Sequence, residues 1–247
     1  RVEPTEAGLR LVEHGRAIRR ALEAAQETVE TLGRTLQGRV RLSVPSGYGQ
    51  LVMAEWLLEF KRLHPGIVLD VMFENRVEDL LRDEVDIAVR VMSEPPQNLV
   101  ARDMGPVRYV ACASRAYATE HGLPTQLDAL RTTPLITATV VGRQLRVSAY
   151  LDDDRHEVLL EPTLISENFL FLRQAVRAGL GVGIVPDYVV QDDIRRGEVV
   201  TTLDEWRLSI FGTRMYLLYM PDRHQTRAAA AFIDFVLEQA AKAGRTP

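Results

Sequence analysis

LVEHGRAIRRALEAAQETVETLGRTL, residues 11–36, is the stretch from which the rest of the chain is read. Taken by sevens, it sets Leu11, Ile18, Ala25 and Leu32 at one position and Gly15, Leu22, Val29 and Leu36 at the companion position. The steps alternate four and three, the seam of a left-handed coiled coil rather than the broader apolar face of a globular helix. Arg16, Arg19, Arg20, Glu23, Glu27, Glu30 and Arg34 lie between, a mixed-charge exterior. A helix from about Glu6 to Leu36 is roughly 46 Å long at 1.5 Å per residue. It has nothing of its own to pack on, which predicts a partner helix, most simply from a second copy of the chain. Folding back on its own domain is the competing arrangement. The expected dimerisation residues are Leu11, Ile18, Leu22, Ala25, Val29, Leu32 and Leu36. Thr5 reads as an N-cap with Glu6 in the first turn, so the helix is expected to follow directly from an extended segment upstream.

Composition narrows the classes. The chain has 247 residues, 46% apolar and 26% charged, enough to bury a sizeable core. A formal net charge of -4 gives no electrostatic footprint for nucleic acid. Residues 1–38 balance six Arg against six Glu, so any DNA-contacting part is expected outside this chain. No apolar run reads as a membrane span or secretory signal. The single cysteine, Cys112, sits in Val110-Ala111-Cys112-Ala113 and reads as a buried small hydrophobe in a reducing, cytoplasmic compartment.

Residues 39–113 alternate strand-like and helix-like patterns. Arg39–Pro45, Ile67–Phe73, Val85–Val91 and Val107–Ala113 read as strands, and helices follow Ser46-Gly47-Tyr48-Gly49 and occupy about Val77–Arg82. This order predicts an α/β architecture with a parallel sheet and flanking helices. Beyond it, Leu135–Val141, Leu145–Leu151, Glu157–Ile165, Val182–Val185 and Met215–Met220 read as strands. Asn168–Ala178, closed by Gly179, and Arg227–Ala241 read as helices.

Four segments carry a family resemblance. Pro4-Thr5-Glu6-Ala7-Gly8 resembles the Leu-Thr-Glu-Ala-Gly that opens the linker helix of LysR-type transcriptional regulators, with Pro at the first position. Gly38–Gly49 resembles their first regulatory strand and turn, and Val85-Asp86-Ile87-Ala88-Val89-Arg90 their "Asp-Leu-Ala-Ile-Arg" strand. Arg177–Pro186 resembles their "Ala-Gly-Leu-Gly-Ile-Ala-Leu-Leu-Pro" segment. The segments stand in family order and spacing over essentially the whole chain. The resemblance implies two Rossmann-like lobes of the type-II periplasmic-binding-protein kind, preceded by a long dimerisation helix. Residues 1–38 would be the end of the wing and the linker helix. Lobe I would be 39–113 plus 214–245, and lobe II 114–213.

A two-lobed α/β region takes its ligand in the crevice between lobes, where strand C-termini and helix N-termini meet. Ser46 and Gly47, between the first strand and its helix, are expected to offer N–H groups and a hydroxyl to an anion. Family precedent adds Thr137 and Thr139, and Asn168 stands at a helix start where it either caps or binds. Arg76 and Arg90 are candidate fixed charges for an acidic effector, with ion pairing as the competing role.

No catalytic constellation, metal set or cofactor motif is expected. His14, His64, His121, His156 and His224 are scattered, Asp152-Asp153-Asp154 reads as a solvated hairpin tip, and Gly179-x-Gly181-x-Gly183 enters a strand rather than leaving one. The expected function is the effector-sensing and oligomerisation portion of a bacterial transcriptional regulator, not an enzyme. Its expected partners are a second copy or three, DNA through an N-terminal winged helix-turn-helix missing from this chain, RNA polymerase, and a small-molecule effector such as a small organic acid. A solute-binding protein or a small-molecule enzyme on the same fold is the alternative.

Overall fold

The chain folds around two sheets. The computed structural model describes residues 5–8, 10–12, 14–15, 18–19, 22, 36–74, 85–138, 144–152, 154–221 and 225–244. Ala25, Val29, Leu32, Arg76, Thr139 and the expected helix at 77–82 lie outside them. The described positions from Glu6 to Leu22 are helical. On that helix Leu11 is 73%, Ile18 70% and Leu22 59% exposed. Leu36, just before the first strand, is partly buried against the domain core.

Five strands build the first sheet: β1 (Gly38–Val44), β2 (Ile67–Phe73), β3 (Ile87–Met92), β4 (Val100–Pro106) and a late strand, Arg214–Tyr219. The second sheet takes β5 (Tyr109–Ser114), β6 (Leu135–Thr137), β7 (Leu145–Leu151), β8 (Asp154–Leu160), β9 (Leu164–Ile165), β10 (Val182–Pro186), β11 (Val199–Thr202) and β12 (Arg207–Ser209). The late strand is therefore β13. The helices are α1 (Ser46–Tyr48), α2 (Ala54–Leu63), α3 (Arg115–His121), α4 (Phe169–Arg177), α5 (Asp187–Arg195) and α6 (Arg227–Ala243). A π-helical turn, Gly49–Met53, joins α1 to α2 without a break.

The first sheet runs β2-β1-β3-β13-β4. β1 pairs in parallel with β2 and β3, from Gly38 opposite Ile67 to Val44 opposite Phe73. The parallel pairing expected of the first strands holds for β1, β2 and β3, but the sheet as a whole is mixed, because β13 enters antiparallel between β3 and β4. Orientation is set by where the chain returns from, which hydrophobic period does not encode. On one face Val40, Leu42, Val44, Ile87 and Val89 meet α2 and α6, with Phe60 edge-on to Phe232 at 5.0 Å. Asp86 forks with Arg41, accepting from its backbone N–H at 2.9 Å and its guanidinium at 2.7 Å, and so pins β1 to the start of β3.

The second sheet runs β8-β7-β12-β5-β10-β6-β9, with β11 also on β5. Sheet membership moves the expected lobe boundary: β5, read from sequence as the end of lobe I, belongs here. Its backbone is paired by β10 on one side and by β11 and β12 on the other, and its residues are buried throughout. The chain thus crosses between sheets at residues 107–108 and back at 210–213, and the crossings are tied by the Val107 N–H donating to the Thr213 carbonyl at 2.8 Å. Helix α4 ends as Gly179 was expected to end it. Gly179 adopts φ 74° and donates to the Val176 carbonyl, while the Leu180 N–H reaches Ala175, a Schellman motif. Cys112 is fully buried, and burial together with the Asp193 carboxylate pushes its thiol up to about 12.

One charged knot stabilises the second lobe. Asp193, with a side chain 0% exposed, accepts from Arg173 at 2.6 and 2.9 Å and from Arg196 at 2.6 Å, with Arg177 3.7 Å away. Burial alone pushes its carboxyl up, but the Arg173 hydrogen bonds and the surrounding guanidinium charges outweigh that and hold it below 3.8. The contribution to stability is complete above about pH 5, where the group is ionised folded or unfolded. As the pH falls the unfolded chain binds the proton first, and the contribution is lost through the folded value. We expect Asp193→Asn to cost about 2 kcal/mol at pH 7, because three partly exposed guanidinium groups lose their buried partner. Urea titrations from pH 7 to 3 should show the variant's deficit shrinking as the pH drops.

Candidate functional site

Three helix starts meet between the lobes. β1 ends at Val44 and Pro45 turns the chain directly into α1, whose first helical bond runs from the Gly49 N–H to the Pro45 carbonyl at 2.7 Å. The amides of Ser46, Gly47 and Tyr48 precede that bond and have no acceptor within the helix. Ser46 makes no capping bond, because Pro45 occupies the cap position. The π turn that follows is a wide turn of a kind found often at functional sites.

From the second lobe, α4 points its start at the same place. A Cβ on Gly47 would lie 3.1 Å from the Phe169 Cβ, so a side chain at position 47 would crowd the start of α4. Beside this contact Tyr48 stands edge-on to Tyr188 of α5, ring centroids 5.4 Å apart, and to Trp56 at 6.4 Å. Burial pushes the Tyr48, Tyr109 and Tyr188 phenols well above their usual range, and Tyr109, Tyr48 and Asp187 add to the rise at Tyr188. Asp187 is itself raised by burial, against the opposing Tyr188 N–H bond and Arg108 charge.

Thr137 lies at the C-terminal end of β6. It pairs in parallel with β10, the strand that leads to Asp187 and Tyr188, so this end of the second sheet faces lobe I. Thr137 is fully buried, and its Oγ1 has no hydrogen-bond partner among the described residues. A buried hydroxyl without a partner costs free energy on the order of 1–3 kcal/mol, so its position calls for an account.

Two expected site residues are engaged elsewhere. Asn168 caps α4: its Oδ1 accepts from the Leu170 N–H at 2.9 Å and the Phe171 N–H at 3.2 Å, which leaves only its NH₂ group to reach a ligand. Arg90 is 3% exposed inside lobe I, donating to the Ser43 carbonyl at 3.1 Å, the Ser43 Oγ at 2.6 Å and the Val89 carbonyl at 2.7 Å. It braces the end of β1 from behind. Gly47 thus sits against the start of the helix that Asn168 caps, the Thr137 carbonyl accepts from the Ser166 N–H at 3.2 Å just before that helix, and Arg90 is set apart. Sequence reading missed Tyr48, Phe169 and Tyr188, whose one available signal was an aromatic residue in the first turn of each helix. Among the described residues no group of three or more His, Cys, Asp or Glu is placed to hold a metal ion. No described helix is long and apolar enough to cross a membrane.

Residues 33–241 match the LysR substrate binding domain. The chain belongs to this family. It is an effector-binding domain of the LysR type, a two-lobed α/β domain as the sheets describe. The LysR-type chain is 28% identical over 238 residues to a probable HTH-type transcriptional regulator, LtrA, of Klebsiella pneumoniae, covering 95% of this chain and 76% of that protein. An HTH-type regulator of Xanthomonas campestris is 32% identical, over 83% of this chain and 61% of its own length. Among solved structures, the full-length Vibrio cholerae virulence activator AphB superposes with a TM-score of 0.72 at 26% identity, covering 95% of this chain and 79% of that one. CrgA of Neisseria meningitidis, at 23% identity and a TM-score of 0.73, shares the fold. These relatives are named as transcriptional regulators, not enzymes.

Two substitutions test the local reading. Asn168→Ala removes the α4 cap and should lower stability by about 1 kcal/mol, with Asn168→Asp close to wild type. Thr137→Val removes the unpaired hydroxyl at equal size and should leave the ligand-free chain as stable or up to about 1 kcal/mol more so. Thermal melts of both variants measure this.

Proposed function

We propose that this domain senses a small organic acid between its lobes and passes the signal through a coiled-coil dimer to DNA. The carrying observation is the meeting of two helix starts, α1 and α4, across the crevice at Gly47 and Phe169. Each helix start carries a partial positive charge, so their approach favours an anion in the space beside them. The Ser46 hydroxyl, the amides of Ser46 and Gly47, the Thr137 hydroxyl and the Asn168 NH₂ supply donors. Arg76 and Thr139 complete the proposed set, and Arg90 acts by holding Ser43 and the strand end.

The regulator works by population shift. An effector that binds one lobe arrangement better than another favours it by the difference in affinity. The exposed Leu11, Ile18 and Leu22 carry a heptad pattern that runs on in the sequence through Ala25, Val29 and Leu32, and the second copy covers it; Leu36 packs on its own domain instead. Lobe movement then re-angles the dimer, or a tetramer built from it. A winged helix-turn-helix preceding the seam repositions on DNA in the cytoplasm and changes its contact with RNA polymerase. No catalytic step, cofactor or membrane is involved.

Titration calorimetry with a panel of small mono- and dicarboxylates and size-matched amines tests the ligand class. An acid should bind saturably and no amine should, and Thr137→Val should weaken the acid by at least tenfold while the fold is retained. Binding of amines alone sinks the anion reading. Sedimentation of Ile18→Pro and Leu22→Pro tests the seam: wild type should be dimeric or larger and both variants monomeric. An already monomeric wild type that still binds its ligand favours a solute-binding protein or enzyme instead.

A further inference from the structure

The two lobes are joined covalently only by residues 107–108 and 210–213, and those crossings run side by side. Short paired crossings resist separation of the lobes but permit rotation about the axis they define. What fixes the rotation must lie off that axis. The contacts between α1, its π turn and the starts of α4 and α5 are such a set.

They have two parts. Gly47 is seated on Phe169 so closely that a Cβ at position 47 would stand 3.1 Å from the Phe169 Cβ. Next to it the Tyr48 ring, 8% exposed, meets the Tyr188 ring edge-on at 5.4 Å and 75°. One residue of each pair belongs to each lobe, so rotation that opens the crevice pulls both apart. Neither pair is ionic, and among the described residues no hydrogen bond joins the two rings. Opening therefore exposes two apolar contacts and breaks no strong directional bond, a small enough cost for a ligand to reverse.

We infer that the Gly47–Phe169 seat and the Tyr48–Tyr188 edge-to-face pair form an aromatic latch that sets the lobe angle in the ligand-free protein. A T-shaped aromatic pair is strong enough to bias such an equilibrium by roughly two- to tenfold. Gly47 is then a specificity position for the switch: a side chain there wedges the lobes open. The inference extends the proposed crevice reading to its regulation, but its test uses no ligand, so the two can fail separately.

The test is a spin-label distance measurement on the whole chain, with nitroxides at Arg62→Cys on α2 and Gln191→Cys on α5, both exposed, and the buried Cys112 left in place. Labelled chain is diluted with unlabelled chain so that only distances within one chain are read. Wild type and Tyr188→Phe, which keeps the ring, should share one narrow distribution. Tyr188→Ala and Gly47→Leu should each raise a second population by roughly two- to tenfold. Wild-type distributions in both variants, with circular dichroism showing them folded, overturn the latch. If one variant fails to fold, the other decides. A change in Tyr188→Phe equal to that in Tyr188→Ala also overturns it, since the ring would then not be the agent.

Discussion

The first sheet is closed by a strand from the far end of the chain. β13 pairs with β3 on one side and β4 on the other, and α6 behind it supplies Phe232 to the ring cluster around Phe60. Without residues 214–243 the central strand β3 has an open edge and Val40, Leu42 and Val89 lose part of their cover. Lobe I therefore cannot form until the chain has gone out through lobe II and come back. Everything at the crevice follows from this return. It places two crossings next to each other, fixes which strand ends face across the gap, and brings α1 within contact of α4 and α5. Non-local pairing of this kind is slow to form, because loop closure precedes its reward.

Each lobe holds a buried charge by hydrogen bonds of its own. Inside lobe II, Asp193 is surrounded by guanidinium donors, and inside lobe I Arg90 is held by Ser43 and Val89. These bonds tie strands and helices together within each lobe. At the junction Thr137 has a buried hydroxyl with no partner among the described residues, and α1 begins with amides that no described side chain caps.

Much of this was legible from residue pattern. Ile67–Phe73 appears in the structure with the bounds read from sequence, and α4, β10 and α6 within a few residues, because each is a strong apolar run bounded by Gly or Pro. β4 was missed: Val-Ala-Arg-Asp-Met-Gly-Pro has no clean alternation, and its pairing with β13 shifts register at Met215 and Tyr216. β11 and β12 are too short to carry a period. Val107–Ala113 was recognised as a strand but assigned to the wrong sheet, since a run buried on both faces does not say which neighbours bury it. At the site, Ser46 and Gly47 stood out because a strand turning into a helix through Gly is a local signal. Arg90 misled for the opposite reason: a charge in an apolar strand looks functional until its partner, Ser43, is seen. The Tyr48–Tyr188 pair joins residues 140 apart in sequence, and no local pattern carries it.

The adjacent crossings have an evolutionary consequence. Lobe II leaves and re-enters lobe I at points joined by a 2.8 Å hydrogen bond, between Val107 and Thr213. In topological terms it is an insertion into a host whose cut ends already touch. A recombination event that replaced everything between those points would leave the host's sheet order, its core around Phe60 and its link to the N-terminal helix unchanged. Half of the surface between the lobes would be new. A lineage built this way can change what it responds to while inheriting how it assembles.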